Sequence, residues 1–256
     1  MKLSVNHSSA LLDLIQTNQV HVDAIEWVDN LGLNLIRQTR SKFPNLPFHF
    51  HPGRMHFTKN GYTHLEEYLS VCPESPHISI HLAPLPMLWT YPALRSHIYL
   101  PGPNPQSAIR RFINQVLALK NRSFLPVILE NMPSLHPTHY CFESEPAVIR
   151  QVLEESDCNL LLDLAHARIA AEVRNIPVEE YLSALPLEKA VQIHMAGVRR
   201  NEKGRLYDAH QPLQEEDYRL LEWTLARSNP AWLTLEYFQE DKPALLSQLN
   251  QLSLYV

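Results

Sequence analysis

A chain of 256 residues, 45% hydrophobic and 19% charged, has the composition of a folded globular protein, and its net charge of −5 gives no support to a cationic surface for nucleic acid. No apolar run approaches the roughly 20 residues that span a bilayer, so no membrane segment is expected. The three scattered cysteines, Cys72, Cys141 and Cys158, form no C-x-x-C pair, which argues against a thiolate zinc site or a disulfide framework and favours a reducing cytoplasm.

In chain order, eight short apolar runs alternate with longer amphipathic stretches. KLSVN (2–6) opens the series; polar residues follow it where a signal peptide needs a continuous apolar core. The others are VDAIEW (22–27), PFHFH (47–51), HISIHLA (77–83), LPVILEN (125–131), NLLLDL (159–164), AVQIHMA (190–196) and WLTLEYF (232–238). Between them SAIRRFINQVLALK carries Ile109, Phe112, Ile113, Val116, Leu117 and Leu119 at helical spacing; EPAVIRQVLEES, with Ser144 as N-cap, and EEDYRLLEWTLARS read alike. Strand and helix in alternation predict βαβ units, and eight strands predict a single (β/α)8 TIM barrel over residues 1–256.

Function in such a barrel gathers at the carboxyl ends of the strands. There stand His51, His81, Glu130 with Asn131, Asp163, His194 and Glu236, separated by 30, 49, 33, 31 and 42 residues, each about one βα unit. His166 follows Asp163 by three positions, and LYDAHQP (206–212), which has no clear strand or helical period, reads as a loop bringing Asp208 and His210 to the same mouth. Taken singly, His81 reads as a hydrogen-bonded core histidine and Asp208-x-His210 as a solvated pair. Taken together, carboxylates and imidazoles at one mouth without enough Arg or Lys to neutralise them call for divalent metal. Ligands of mixed His and carboxylate type suit iron, zinc or manganese. His49, two positions before His51, supports it from the layer below; His56, His64, His97, His136 and His139 read as loop or surface residues, and Met195 and Trp89 as packing or pocket lining.

The ordered set His51, His81, Glu130, Asp163, His166, His194, Asp208, His210 and Glu236 resembles the three-metal site of endonuclease IV, within the xylose isomerase-like TIM barrels. The segments ILEN, LLLD, IHMAG, DAH-x-P and TLEYF resemble more closely the multinuclear non-haem iron-dependent oxidative enzymes, which share that barrel. Those enzymes typically carry asparagine at the position of His166 and histidine at that of Val198. The resemblance implies two or three metal ions, iron first, with Glu130 bridging; His51 and His81 completing one position; Asp163, His194 and Glu236 a second; and His166, Asp208 and His210 a third. Glu130, Asp163 and Glu236 are then the expected catalytic carboxylates. The substrate it implies is a cysteine-bearing peptide, with a peptide-delivering protein as partner. The competing readings are a zinc or manganese phosphodiester hydrolase, for which Arg110–Arg111 and the RRNEKGR segment (199–205) are the candidate anion contacts; a small-molecule sugar isomerase or epimerase; and a non-enzymatic metal-binding protein.

Overall fold

Each of the eight apolar runs supplies one strand of a closed, wholly parallel barrel, as the sequence predicts. The computed structural model describes residues 1–28, 32–52, 59–82, 104–133 and 142–256. His56, Trp89, His97, His136, His139 and Cys141 lie outside these residues, as does the side chain of His64. The barrel strands are β1 (Lys2–Asn6), β2 (Ala24–Val28), β3 (Phe48–His51), β4 (Ile78–His81), β5 (Val127–Glu130), β6 (Asn159–Asp163), β7 (Ala190–Met195) and β10 (Trp232–Leu235). Pairing runs in sequence order around the ring, and β1 closes it against both β2 and β10.

Helices α1 (Ser9–Gln16), α2 (Leu33–Lys42), α3 (Lys59–Val71), α4 (Pro105–Ser123), α5 (Pro146–Glu155), α6 (Leu164–Arg174), α7 (Val178–Ala184), α8 (Glu215–Leu225) and α9 (Lys242–Leu252) alternate with the strands. Start signals are local: Ser8 caps α1 by accepting from the Leu11 amide, and Asn104 caps α4 just before Pro105. Two details differ from expectation. The cap of α5 is Glu145 followed by Pro146, while Ser144 lies in the preceding 3-10 turn and accepts a hydrogen bond from Arg174. On α4 the buried stripe is Ala108, Ile109, Phe112, Ile113, Val116 and Leu119, whereas Leu117 turns to solvent.

Period-two alternation divides each strand between two environments. Residues such as Leu3, Val5, Ile25, Trp27, Phe48, Phe50, Ile193, Leu233 and Leu235 join the large core cluster that includes the helices' apolar stripes. Burying each such side chain contributes roughly 1.5–3 kcal/mol. The alternate residues, Ser4, Asn6, Glu26, His49, His51, Ser79, Glu130, Asp163, Gln192, His194 and Thr234, are also buried but polar. This barrel interior therefore holds hydrogen-bonded polar layers where Val, Ile and Leu usually dominate, and the cost of burying them has to be met by specific partners.

LYDAHQP is not a loop. Leu206–Gln211 forms strand β9, antiparallel to β8 (Gly197–Arg200), as a hairpin appended after β7. Asn201 stabilises its turn, accepting from the amides of Lys203 and Arg205, and Gly204 takes a φ of 74°. Val198 pairs with Asp208 and Gly197 with Gln211, so Ala209 and His210 bulge out of the ladder. His210 has φ 45°, a left-handed conformation that a non-glycine residue adopts only when its surroundings hold it there. Gly197 makes the close approach possible, since a Cβ at that position would lie 2.1 Å from the Gln211 carbonyl oxygen.

Candidate metal centre

Register places the candidate ligands side by side. His81 pairs with Glu130 across β4 and β5, and Asp163 with His194 across β6 and β7. The geometry is consistent with four overlapping sets, each with donor atoms within 4.8 Å of one another: Glu26, His51 and His194; His51, His81 and Glu130; Glu130, Asp163 and His166; Asp163, His194 and Glu236. Asp208 and His210 adjoin them, with Asp208 Oδ2 2.9 Å from His210 Nε2 and 3.6 Å from His166 Nε2, and His210 Nδ1 3.6 Å from Glu236 Oε2. All nine residues singled out in the sequence thus lie in one continuous cluster.

Glu130 is central. Its Oε2 lies 2.8 Å from His81 Nε2 and 3.4 Å from His51 Nε2, and its Oε1 lies 3.2 Å from His166 Nδ1. Despite this proximity Glu130 Oε2 has no aligned hydrogen bond among the described residues, and the same is true of Asp163 Oδ2, His194 Nδ1, Asp208 Oδ1 and His210 Nδ1, all buried. Close approach without alignment is what ligands show when they converge on a common centre. Five orphaned oxygen and nitrogen atoms among the ligand candidates fit divalent metal, because unpaired buried acceptors are otherwise costly.

The neighbours of these side chains select which atom faces inward. His51 Nδ1 contacts the Ser79 hydroxyl, leaving Nε2 toward Glu130 and His81. His166 Nδ1 donates to the Asn131 carbonyl, leaving Nε2 toward Asp208. Asp163 divides its carboxylate: Oδ1 caps α6 by accepting from the His166 amide at 2.6 Å, while Oδ2 lies 3.7 Å from His166 Nδ1 without a hydrogen bond among the described residues. Asn131 brackets it, accepting from the Asp163 amide at 2.8 Å and donating to its carbonyl at 3.0 Å. His49 packs edge-on against Trp232, with ring centroids 3.8 Å apart, and against His77, beneath the ligand layer.

The metal-free electrostatics follow from this crowding. Burial raises the Asp163 carboxyl, His166 partly offsets the rise, and the charges of Glu130, Asp208 and Glu236 add to it, leaving a pKa of about 7. Burial acts to lower His210, but the Asp208 hydrogen bond and the Glu236 and Asp208 charges outweigh it and bring the pKa to about 9. Burial likewise opposes protonation of His166 and His194, yet Asp163 and Glu26 respectively lead the carboxylate effects that hold both well above the usual range. Protons thus occupy positions that cations would take.

Sequence reasoning missed Glu26. It stands inside VDAIEW with Asp23 as the other carboxylate; it is buried on β2, and its Oε2 lies 3.1 Å from His194 Nε2. A charged residue in an apolar strand, on the inward face set by Ala24 and Val28, was the available signal. Met195 belongs to the core. Arg199 donates to the Val198 and Pro212 carbonyls, and Arg200 pairs with Glu172 at 2.7 Å. With Arg168, Val198 and Leu206 they line a separate cavity of about 680 Å³ that none of the nine ligand candidates borders. No helix among the described residues is long and apolar enough to cross a membrane.

Comparison with known proteins adds the following. The sequence pattern of the RiPP precursor modification enzymes MbnB/TglH/ChrH matches residues 59–253. A UPF0276 protein of Vibrio parahaemolyticus is 28% identical over 162 residues, 60% of this chain; the match spans only 56% of that relative's length. Among solved structures, the 3-keto-D-glucoside 4-epimerase YcjR of E. coli superposes with a TM-score of 0.62 at 15% identity, covering 99% of this chain and 98% of the other. A xylose isomerase-like TIM barrel/4-hydroxyphenylpyruvate dioxygenase fusion protein gives 0.58 at 12% identity, covering 100% of this chain and 44% of the fusion. These likenesses place the fold among the xylose isomerase-like TIM barrels.

Proposed function

Because this chain belongs to the MbnB/TglH/ChrH family of RiPP precursor modification enzymes, we propose that it is a multinuclear metal enzyme that oxidises a cysteine of a peptide substrate at the barrel mouth. The observation that carries the metal reading is the Glu130 carboxylate, with one oxygen between His51 and His81 and the other beside His166, in a cluster of orphaned buried acceptors. In this reading Glu130 bridges two positions. His51 and His81 complete the first; Asp163, His194 and Glu236 the second; His166, Asp208 and His210 the third. Iron held there supplies the redox chemistry, for which dioxygen is the oxidant, and mixed imidazole and carboxylate ligation suits it. The protein's own part is to fix the ligands, and to admit the peptide from the mouth, where His81 and His210 retain side-chain exposures of 24% and 28%.

The test is metal analysis and iron-edge spectroscopy of protein purified without oxygen, followed by dioxygen and a cysteine-bearing precursor peptide. A mass change on the peptide that requires iron supports the reading. A specific observation favours a second one: His166 Nε2, Asp208 and His210 converge, and this third set resembles that of endonuclease IV. Zinc- or manganese-dependent cleavage of a phosphodiester, with no iron-dependent change in the peptide, would establish the hydrolase instead.

A further inference from the structure

We infer that Glu26 is a positioning residue that fixes the ring of His194 so that Nδ1, and not Nε2, faces the metal centre. The inference rests on the metal reading above and goes beyond it, since Glu26 lies on β2, a strand that carries none of the nine ligand candidates.

Hydrogen accounting carries the argument. Gln192 Nε2 has three neighbours, Glu26 Oε2 at 2.8 Å, Thr234 Oγ1 at 2.7 Å and His194 Nε2 at 2.9 Å, but only two hydrogens to give. Its amide cannot be turned over, because Oε1 accepts from His77 Nε2 at 2.6 Å and would otherwise oppose the Glu26 carboxylate, acceptor against acceptor. If Gln192 donated to His194 Nε2, the imidazole lone pair would face the Glu26 carboxylate at 3.1 Å, acceptor against acceptor, and Gln192 could serve only one of Glu26 and Thr234. If His194 instead carries a proton on Nε2 and donates it to Glu26 Oε2 at 3.1 Å, Gln192 serves Glu26 and Thr234, and the carboxylate oxygen, which can only accept, receives two donors. Only the second arrangement sets a hydrogen of His194, and not a lone pair, against the Glu26 carboxylate.

With Nε2 committed, Nδ1 is the nitrogen of His194 left to face a metal. That atom is buried, has no hydrogen bond, and lies 3.3 Å from Glu236 Oε1, on the side of the ligand cluster. Glu26 is itself anchored, because Gln192 is held by His77 and Thr234, and Thr234 bonds Ser4 Oγ at 2.5 Å. The layer beneath the ligands therefore sets the orientation of the ligand above it. A carboxylate behind a ligating imidazole also raises its basicity, and loss of such a partner typically weakens metal binding 10- to 100-fold.

The test is nitrogen-resolved NMR of ¹⁵N-histidine-labelled full-length protein loaded with Zn(II) as a diamagnetic probe, with His194 assigned by its absence from His194→Gln. Expected are a metal-shifted Nδ1 and an exchange-protected, downfield Nε2 proton. In Glu26→Gln, which keeps the side-chain shape, that proton should move upfield and exchange at least tenfold faster, and Zn(II) affinity should fall about 10- to 100-fold. A metal-shifted Nε2 in the unaltered protein overturns the inference, and that spectrum decides even if the variant does not fold. So does a Glu26→Gln protein with unchanged proton shift, exchange and affinity. Failure to bind Zn(II) at all would overturn the metal reading together with this one.

Discussion

The ligand candidates on the barrel strands and those on the β8–β9 hairpin are held in place by different physics. Glu130, Asp163 and His194 have side-chain exposures of 2%, 0% and 0%, and ladders on both sides fix their strands. Asp208 and His210 are 18% and 28% exposed, on a two-stranded ribbon whose bulge forces His210 into a left-handed backbone. Rotamers in a packed barrel are set by many neighbours at once, whereas an isolated hairpin is marginal by itself. The barrel therefore supplies a rigid set of donors, and the hairpin a separable one whose geometry depends on a single glycine.

The severest way to break this contrast is at the barrel's own bridge. Glu130→Gln should fold, lose at least one metal equivalent and fall to background turnover; full metal retention by elemental analysis would count against the bridging assignment. Next is Gly197→Ala, whose Cβ would meet the Gln211 carbonyl and push the strands of the hairpin apart. It should cost about 1–3 kcal/mol in stability and empty the third metal position while leaving the other two filled. Retention of all three metals would mean that the bulge does not position His210. A smaller change is expected of Asp208→Ala or His210→Ala. Both should spare the first two metals, lower turnover at least about tenfold, since even partners behind a ligand contribute 10- to 100-fold, and leave metal titration of the apo-protein with fewer equivalents. If either empties the whole cluster, the hairpin is integral to its assembly.

The mildest test is pH. In metal-free protein Asp163 and His210 both have raised pKa values, about 7 and about 9. A raised group stabilises the fold below its unfolded value and loses that contribution as pH rises through its folded value. Thermal stability of the chelated protein should therefore decline from the ordinary carboxyl value of 3.8 to about pH 9, Asp163 acting up to about 7 and His210 from 6.5 upward, and the decline above 6.5 should be shallower in His210→Ala. Unchanged melting curves for that variant would show that His210 is not held by Asp208 as the structure indicates.

Much of this was legible in the sequence, because apolar strand runs are strong signals and their terminal polar residues fall at one end of a barrel by construction. All eight runs became strands, and the nine residues gathered as the βα spacing implies. What escaped lies where local sequence is ambiguous. LYDAHQP lacks alternation because its bulge interrupts the ladder, so a strand looked like a loop. Glu26 is hidden by Ala24, Ile25 and Trp27, and only its partner across the barrel, His194, reveals its role. Leu117 fits the helical period, yet points outward because the buried stripe of α4 is narrower than the run of apolar residues.

Closure of the ring between β1 and β10 has a consequence for synthesis. Ser4 and Thr234, joined across the seam, are 230 residues apart in the chain, whereas the hairpin joins residues 6 to 14 positions apart and can form within about 1–10 μs. At 5–20 residues per second, His51 leaves the ribosome roughly ten to forty seconds before Glu236 does. Through that interval β1 lacks β10 as a partner, and His194, made near its end, waits for Glu236. Nascent chains thus offer imidazoles and carboxylates to passing cations without the cage that would discriminate among them, and the complete site comes into existence only as the final strand seals the ring.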